Sequence, residues 1–441
     1  MSTDRISGVK ARRVWDSRGR PTIEAEVWLE DGRFGRAIAP AGASRGKREA
    51  IDLRDGGTRL GGYDVRTALD RIGREIAPAL AGLAVSDQAA IDARLVELDG
   101  TSNKQHLGGN AMVAVSLAAL HASAAAAGVP LWQRISDLTG AAPSLPLPEI
   151  QIFGGGAHAS RRVDIQDFMI MVPGAASMAQ AFEITAEVYA AAGAILAERG
   201  ALRGVADEGG WWPEFSSNEQ ALDTLMLAIE RAGEVPGERV VISLDVAASE
   251  FGHDGRYELA LDGRTMDRDG MIEMLGGWLD RYPIVSIEDP LAEDDLAGMA
   301  AFTGAFGGRV QIVGDDLLVT NAALVDRAAA AGACNALLLK VNQAGTVSEA
   351  LAAWRTASAH GWRTVVSARS GESEDTSIVH LAVGLGAGQL KVGSFARSER
   401  MAKWNECLRI EEESGPRLAF AGASPLQATR WAMSRGLAGA S

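Results

Sequence analysis

A chain of 441 residues, 47% hydrophobic and 23% charged, fits a large barrel plus a further domain, and its composition does not suggest disorder. The net charge of −14 argues against nucleic acid or an anionic membrane as partner. It also demands clustered local cations, or metals, wherever a small anion binds.

In chain order, the start MSTDRISGVK is polar and lacks the apolar core of a secretory signal. Residues 22–29 alternate (T-I-E-A-E-V-W-L), and Asp31-Gly32 supplies a turn before 33–39, which predicts a β-hairpin. The loop G-A-S-R-G at 42–46 reads as flexible, and its likeness to a phosphate cradle is weak without a following strand and helix. Helical periodicity covers 64–80, 86–98 and 110–127. The stretch 113–128 is mostly alanine, interrupted by Ser116, His121 and Ser123, and is expected to be a buried helix and not a membrane span. A Pro-rich stretch at 143–148 marks the boundary between an N-terminal α+β domain (1–140) and a second domain (141–441). Only two cysteines occur, Cys334 and Cys407, so no disulfide framework is expected and a reducing, cytoplasmic compartment is favoured.

Beyond the boundary, short apolar runs recur, most ending in a polar or charged residue: 147–153, 165–172, 240–245, 284–288, 310–315, 336–340, 364–369 and 389–391. Helix-like segments such as 316–331 and 346–360 separate several of them. This α/β pattern predicts a β/α barrel of the TIM-like kind, with its active site at the carboxyl ends of the strands.

Asp245, Glu288 and Asp315 end three successive runs. One Asp at such a place commonly caps the next helix. Three would repel one another, and hard divalent cations with oxygen ligands are the usual remedy, Mg2+ first among them. Lys340 ends the next run. Burial and a nearby metal would lower its pKa and suit it as a base, while a structural ion pair with the same carboxylates fits the sequence equally well. Arg369 and Lys391 add two cations, and the set suits a doubly anionic small molecule. Glu208 in A-D-E-G-G precedes Trp211-Trp212, and apolar bulk can raise a carboxyl pKa as a general acid requires. As a turn motif alone, D-E-G-G is weak evidence. His158 in G-G-G-A-H-A reads as structural as readily as functional.

Together, W-D-S-R-G-R-P-T, G-A-S-R-G, L-G-G-N-A, G-G-G-A-H-A, A-D-E-G-G, L-D-V-A-A-S-E-F, S-I-E-D-P, V-G-D-D, L-L-L-K-V-N-Q-A-G-T and R-S-E-R-M-A-K-W-N resemble the enolase family across nearly the whole chain. The resemblance implies an enolase-type barrel under an N-terminal α+β lid domain, two Mg2+ sites, and a homodimer or higher homo-oligomer. Asp245, Glu288 and Asp315 would hold one Mg2+, and Ser44 on the lid would join a second that bridges to substrate. Lys340 would take the α-proton of a 2-phosphoglycerate-like substrate. Arg369 and Ser370 would hold its phosphate, with Lys391 near its carboxylate. Glu208 would protonate the departing hydroxyl, with His158 and Gln166 lining the pocket.

This chain departs from that pattern at clustered positions. Ala368, in V-S-A-R-S, stands where the family has a histidine. Asp167, in D-I-Q-D-F, replaces a glutamate that works beside the equivalent of Glu208, and Arg45 replaces a lid threonine. Trp211-Trp212 replaces a smaller F-A pair. Three readings follow. The chain is a working enolase that tolerates Ala368, or a paralogue that forms the enolate but handles its leaving group differently or admits a second anionic reactant at Arg45. An enolase-like synthase of phosphonate natural-product biosynthesis, making a carboxyphosphonoenolpyruvate-type product, would fit the second reading. The third is a non-catalytic binding or structural protein, ranked last because the metal ligands and Lys340 are retained.

Overall fold

The computed structural model describes residues 4–43, 46–160 and 162–437, with His158 described by its backbone alone. Strands Ile6–Trp15 (β1), Pro21–Leu29 (β2) and Phe34–Ile38 (β3) form an antiparallel sheet in that order. The β2–β3 pair is the predicted hairpin. Its turn contains Gly32 at φ +86, a conformation that glycine adopts without steric cost. The periodicity argument does not find β1, whose alternation is broken where the pairing register shifts between Ile6 and Gly8.

The predicted helix over 64–80 is instead three pieces: Arg66–Arg71 (α1), a π-helical turn Ile72–Ile76, and Ala77–Leu80 (α2). Gly73 and Pro78 lie within it, both poor in a helix interior. Gln88–Asp99 (α3) starts at Asp87, whose side chain accepts the Ala90 amide, a standard N-cap. Gly109–Ala127 (α4) is apolar and long enough to cross a membrane, yet 78% of its apolar window is buried, and it packs on β2 and β3. The approach is so close that a Cβ on Gly35 of β3 would lie 2.1 Å from the Ala122 amide nitrogen. Alanine on the helix and glycine on the sheet are what allow that contact. Leu131–Thr139 (α5) completes this part.

The barrel begins with Leu147–Gly154 (β4) and Asp167–Met171 (β5), followed by Met178–Glu198 (α6), a hairpin of Leu202–Val205 (β6) and Trp211–Pro213 (β7), Asn218–Arg231 (α7) and Val241–Asp245 (β8). A small antiparallel sheet of Gly252–His253 (β9), Arg256–Leu259 (β10) and Arg264–Asp267 (β11) intervenes before Arg268–Arg281 (α8). Strand and helix then alternate through Ile284–Glu288 (β12), Leu296–Phe306 (α9), Gln311–Gly314 (β13), Ala322–Ala331 (α10) and Ala336–Leu339 (β14). Val341–Ala344 (α11), Val347–Ala359 (α12), Arg363–Ser367 (β15), Ser377–Gly384 (α13), Gly388–Ser394 (β16) and Ser398–Ser414 (α14) follow.

The ring runs β4-β5-β8-β12-β13-β14-β15-β16 and closes through β16–β4. Six of its eight neighbour relations are parallel and two are antiparallel, because β5 runs against both β4 and β8. The segment 155–166 contains only a short 3-10 turn, and a parallel return needs a longer crossover. The predicted start of α10 at 316 is also displaced. The chain turns tightly through 315–320, with Val319 at φ +40 and Thr320 at φ +52, and Asn321 then caps the helix by accepting the Ala323 and Leu324 amides.

Candidate active site

The barrel brings most of the predicted residues to one place. Gln166, Asp167, Glu208, Asp245, Asp315, Lys340, Ala368, Arg369, Ser370 and Lys391 line one cavity, joined by Gly42, Ser367 and Val392. Its free volume of about 20 Å³ is room for about one water molecule, because the charged side chains fill it. Glu288 lies at the same end: it pairs in register with Asp245, as Asp167 does from the other side. Ser44 and Arg45 lie outside the described residues, as does the side chain of His158.

Two lysines neutralise the acids. The Lys391 ammonium donates to Asp245 Oδ2 at 2.7 Å and Glu288 Oε2 at 2.8 Å, and lies 3.6 Å from Asp167 Oδ2. Burial is the largest influence on Lys391 and favours the neutral amine, but Asp245, Glu288 and Asp167 outweigh it and hold its pKa well above the usual range. Glu288 is also pushed well above its ordinary value, by burial first and by Asp245 next. One ammonium serves several carboxylates, so Glu288 keeps an unfavourable remainder from its burial and from Asp245.

Lys340 donates to Asp315 Oδ2 at 2.5 Å. Burial alone would lower the Lys340 pKa, as the sequence reading expects. In the structure the pKa lies above the usual value, because Asp315 and Glu288 stabilise the ammonium more than burial destabilises it. Asp315 is displaced oppositely: burial pushes its pKa up, but Lys340 and the neighbouring cations bring it below the normal range. The salt-bridge alternative for Lys340 therefore describes this arrangement, and a base role requires Asp315 to be engaged elsewhere.

The donor set suits a hard divalent cation, being composed of carboxylate and amide oxygens. Glu288 Oε1 and Gln166 Oε1 are buried without a hydrogen-bond partner among the described residues, although Gln166 donates its amide to Asp245 Oδ2 at 2.9 Å. Such oxygens are costly unless something coordinates them. The tightest acidic group is different from the predicted one: oxygens of Asp289, Asp315 and Asp316 lie within 4.8 Å of one another. Both Asp289 oxygens already accept backbone amides, from Asp315 at 3.0 Å and Asp316 at 2.8 Å. Asp289 thus braces the turn that presents Asp315, and burial together with Asp315 pushes its pKa up to about 8. Asp315 belongs to both acidic groups, and the orphaned Glu288 oxygen is a further carboxylate oxygen open to a cation beside Asp245.

Arg369 is buried and already forked. Its guanidinium donates to Glu49 Oε2 at 2.9 Å and Oε1 at 3.1 Å, and to Asn342 Oδ1 at 3.0 Å. The Ser370 hydroxyl accepts the Ala43 amide at 2.7 Å and Arg18 Nη1 at 3.3 Å, so it ties the described start of the 42–46 loop to the barrel. Arg400 of α14, fully buried, holds the loop carrying both residues by donating to the carbonyls of Arg369, Ser370 and Val392 at 2.6, 2.6 and 2.8 Å.

On the other wall, Glu208 sits in the β6–β7 turn, where its carbonyl accepts the Ser394 amide at 2.8 Å. Gly209 follows at φ +94, and a Cβ there would come 2.5 Å from the Ala396 carbonyl oxygen. Gln151 bridges the wall by donating to Asp167 and accepting the Gly210 amide at 2.8 Å. Trp211 stacks on Tyr189 at 4.6 Å between ring centres and Trp212 lies under Arg162, so the tryptophan pair secures the hairpin. Ala368 is 7% exposed and faces the cavity. Its amide donates to the Lys391 carbonyl at 2.9 Å, so its backbone is fixed by the sheet while its side chain leaves room.

Sequence reasoning misses Glu49, Gln343, Thr320, Gln151 and Arg400. Gln343 donates to Asp315 Oδ1 at 2.8 Å and accepts from the Thr320 hydroxyl at 2.7 Å. Its place three residues after Lys340, on the short helix α11 that Lys340 precedes, is the one local signal that could have found it.

The family described as "Enolase, N-terminal domain" matches residues 6–135, and the family described as "Enolase, C-terminal TIM barrel domain" matches residues 142–429.

Proposed function

Because this chain belongs to the enolase family, we propose that it is a Mg2+-dependent carbon–oxygen lyase. It would remove the α-proton of 2-phosphoglycerate or a close analogue and release a phosphoenolpyruvate-type product. The observation that carries this reading is the convergence of Lys340, Lys391, Arg369 and the acids Asp167, Glu208, Asp245 and Asp315 on one buried cavity.

Enolase-superfamily sites pair a Lys or His base with one or two Mg2+ ions that stabilise an ene-diolate. Asp245, Glu288 and Asp315 would hold one ion, and Ser44 would join the shell of a second. Mg2+ held there would supply the positive charge that makes a proton beside a carboxylate removable. With part of its charge shared with that ion, Asp315 would hold Lys340 less tightly, and the lysine's pKa would fall toward that of a working base. Arg369 and Ser370 would take the phosphate, with Glu49 yielding part of its claim on the guanidinium, and Lys391 would orient the substrate carboxylate. Glu208, with Asp167 beside Lys391, would deliver a proton to the departing hydroxyl, while His158 and Gln166 line the pocket. Cytoplasmic location and a homodimer or higher assembly complete the reading.

A second reading is favoured by Ala368. Where an imidazole would fill the wall, a methyl group faces the cavity, and Arg45 adds a cation to the loop above. An altered leaving group or a second anionic reactant would then be accommodated, as in an enolase-like phosphonate-pathway synthase. The test is proton and phosphorus NMR with Mg2+ and 2-phosphoglycerate in heavy water. Formation of phosphoenolpyruvate establishes the first reading. Exchange of the α-proton without elimination establishes an intact base half with a changed acid half. Absence of exchange, with wild-type and Lys340→Ala protein alike, would overturn both.

A further inference from the structure

A cavity larger than the barrel's lies elsewhere on the molecule. A cleft of about 320 Å³ lies between the amino-terminal parts of α9 and α10, lined by Leu296, Leu317, Leu324 and Ala328, with Lys47 and Arg48 of the N-terminal domain at its edge. Its size falls within the range of small-molecule sites, which combine an apolar lining with a few convergent polar groups.

The charges at its edge are unequally matched. Lys47 Nζ lies 3.6 Å from Glu293 and 3.8 Å from Asp294, so these two acids already share an ammonium. Arg48 donates only to the carbonyls of Glu293 at 3.4 Å and Leu317 at 3.1 Å. Arg327 has no hydrogen-bond or ion-pair partner among the described residues. Two guanidinium groups without a carboxylate therefore border an apolar floor, in a chain whose net charge is −14. In so acidic a protein, two arginines without a carboxylate partner lining one cleft mark a place where an anion is stabilised.

We propose that this cleft is a second ligand site, for a small amphipathic anion. A carboxylate or phosphate head would sit between Arg48 and Arg327, and an aliphatic body would cover Leu296, Leu317, Leu324 and Ala328. The phosphorylated hydroxy-acid of the barrel site lacks such a body and would leave the floor unused, so the two sites select different molecules. Arg48 directly precedes Glu49, which holds Arg369, so the two sites stand back to back across one segment. The assignment rests on the cleft's own residues and stands whichever reaction the barrel performs.

Titration calorimetry on the full chain tests it, with hexanoate and hexyl phosphate as probes and 1-hexanol as the neutral control. The expected result is saturable binding of at least one anion, with hexanol about ten-fold weaker or worse, and the preferred head distinguishing carboxylate from phosphate ligands. Arg327→Glu should weaken that binding by about ten-fold or more, and Leu324→Ser should weaken it as well, since head and floor both contribute. Arg327 is exposed at the helix surface, so Arg327→Glu should leave the unfolding midpoint unchanged. No saturable binding of either anion, equal binding of hexanol, or unaltered affinity in Arg327→Glu would overturn the proposal.

Discussion

Replacing Glu49 by Gln tests a deeply buried ion pair at the site. Glu49 and Arg369 have side chains only 2% and 3% exposed, joined by contacts of 2.9 and 3.1 Å. Removing one partner of such a pair costs about 3–5 kcal/mol, because the other charge remains buried and uncompensated. Glutamine preserves the shape and one acceptor, and Asn342 keeps its bond to Arg369 at 3.0 Å, so the expected loss is near the lower end, about 3 kcal/mol. Urea unfolding followed by tryptophan fluorescence, with and without inorganic phosphate, measures it. Phosphate should restore part of the lost stability in the variant and do little for the wild type, since only in the variant has Arg369 lost its Glu49 carboxylate. A loss below about 1 kcal/mol, the value of a solvent-exposed pair, would refute the account of Arg369 as a buried cation held ready by Glu49.

Two further outcomes follow from particular contacts. The Thr320 hydroxyl accepts the Lys340 amide at 2.9 Å and donates to Gln343 Oε1 at 2.7 Å, so Thr320→Val should cost about 1–3 kcal/mol in urea unfolding, with Ser restoring most of it. Glu26 is held down to about 2, chiefly by Arg12 with help from Arg36 and Trp28. Its unfolded value is about 4.3, so its stabilisation is complete above that pH and disappears as pH falls toward 2. Glu26→Gln should therefore flatten the stability profile across that window, and an unchanged slope would show that the carboxylate is not held by those arginines.

The fold was legible where a pattern is local. Short apolar runs closed by Asp245, Glu288, Lys340 and Lys391 gave the barrel because each strand is buried almost throughout, reads as a continuous apolar run, and carries its own charged end. The direction of β5 was not legible, since strand sequence does not encode which way a strand runs; the short connection from β4 decides it. The 315–320 turn was hidden for a related reason: Asp315-Asp316 reads as a helix start, but two left-handed residues, Val319 and Thr320, postpone it. Within the site, the chemistry-bearing residues could be named because barrel geometry gathers strand ends. Their partners could not. Glu49 reaches Arg369 from another domain, and Arg400 meets the backbone, which leaves no side-chain pattern to read. The 2.5 Å approach of Asp315 to Lys340 was not legible either, because it depends on how two strand ends meet in the barrel.

The pairing of Glu49 with Arg369 spans 320 positions of chain. During synthesis, the N-terminal sheet and α4 can fold while most of the barrel is still unmade, since domains generally fold as units and the N-terminal one first. Arg369 emerges long afterwards, and β16, which must meet β4 to close the ring, emerges later still. Until then Glu49 lacks its Arg369 partner, and the ends of β8, β12 and β13 carry acids with no Lys391 to quiet them. The reactive centre is thus assembled last, and a truncated chain from a stalled ribosome would hold the acids without the cations that balance them.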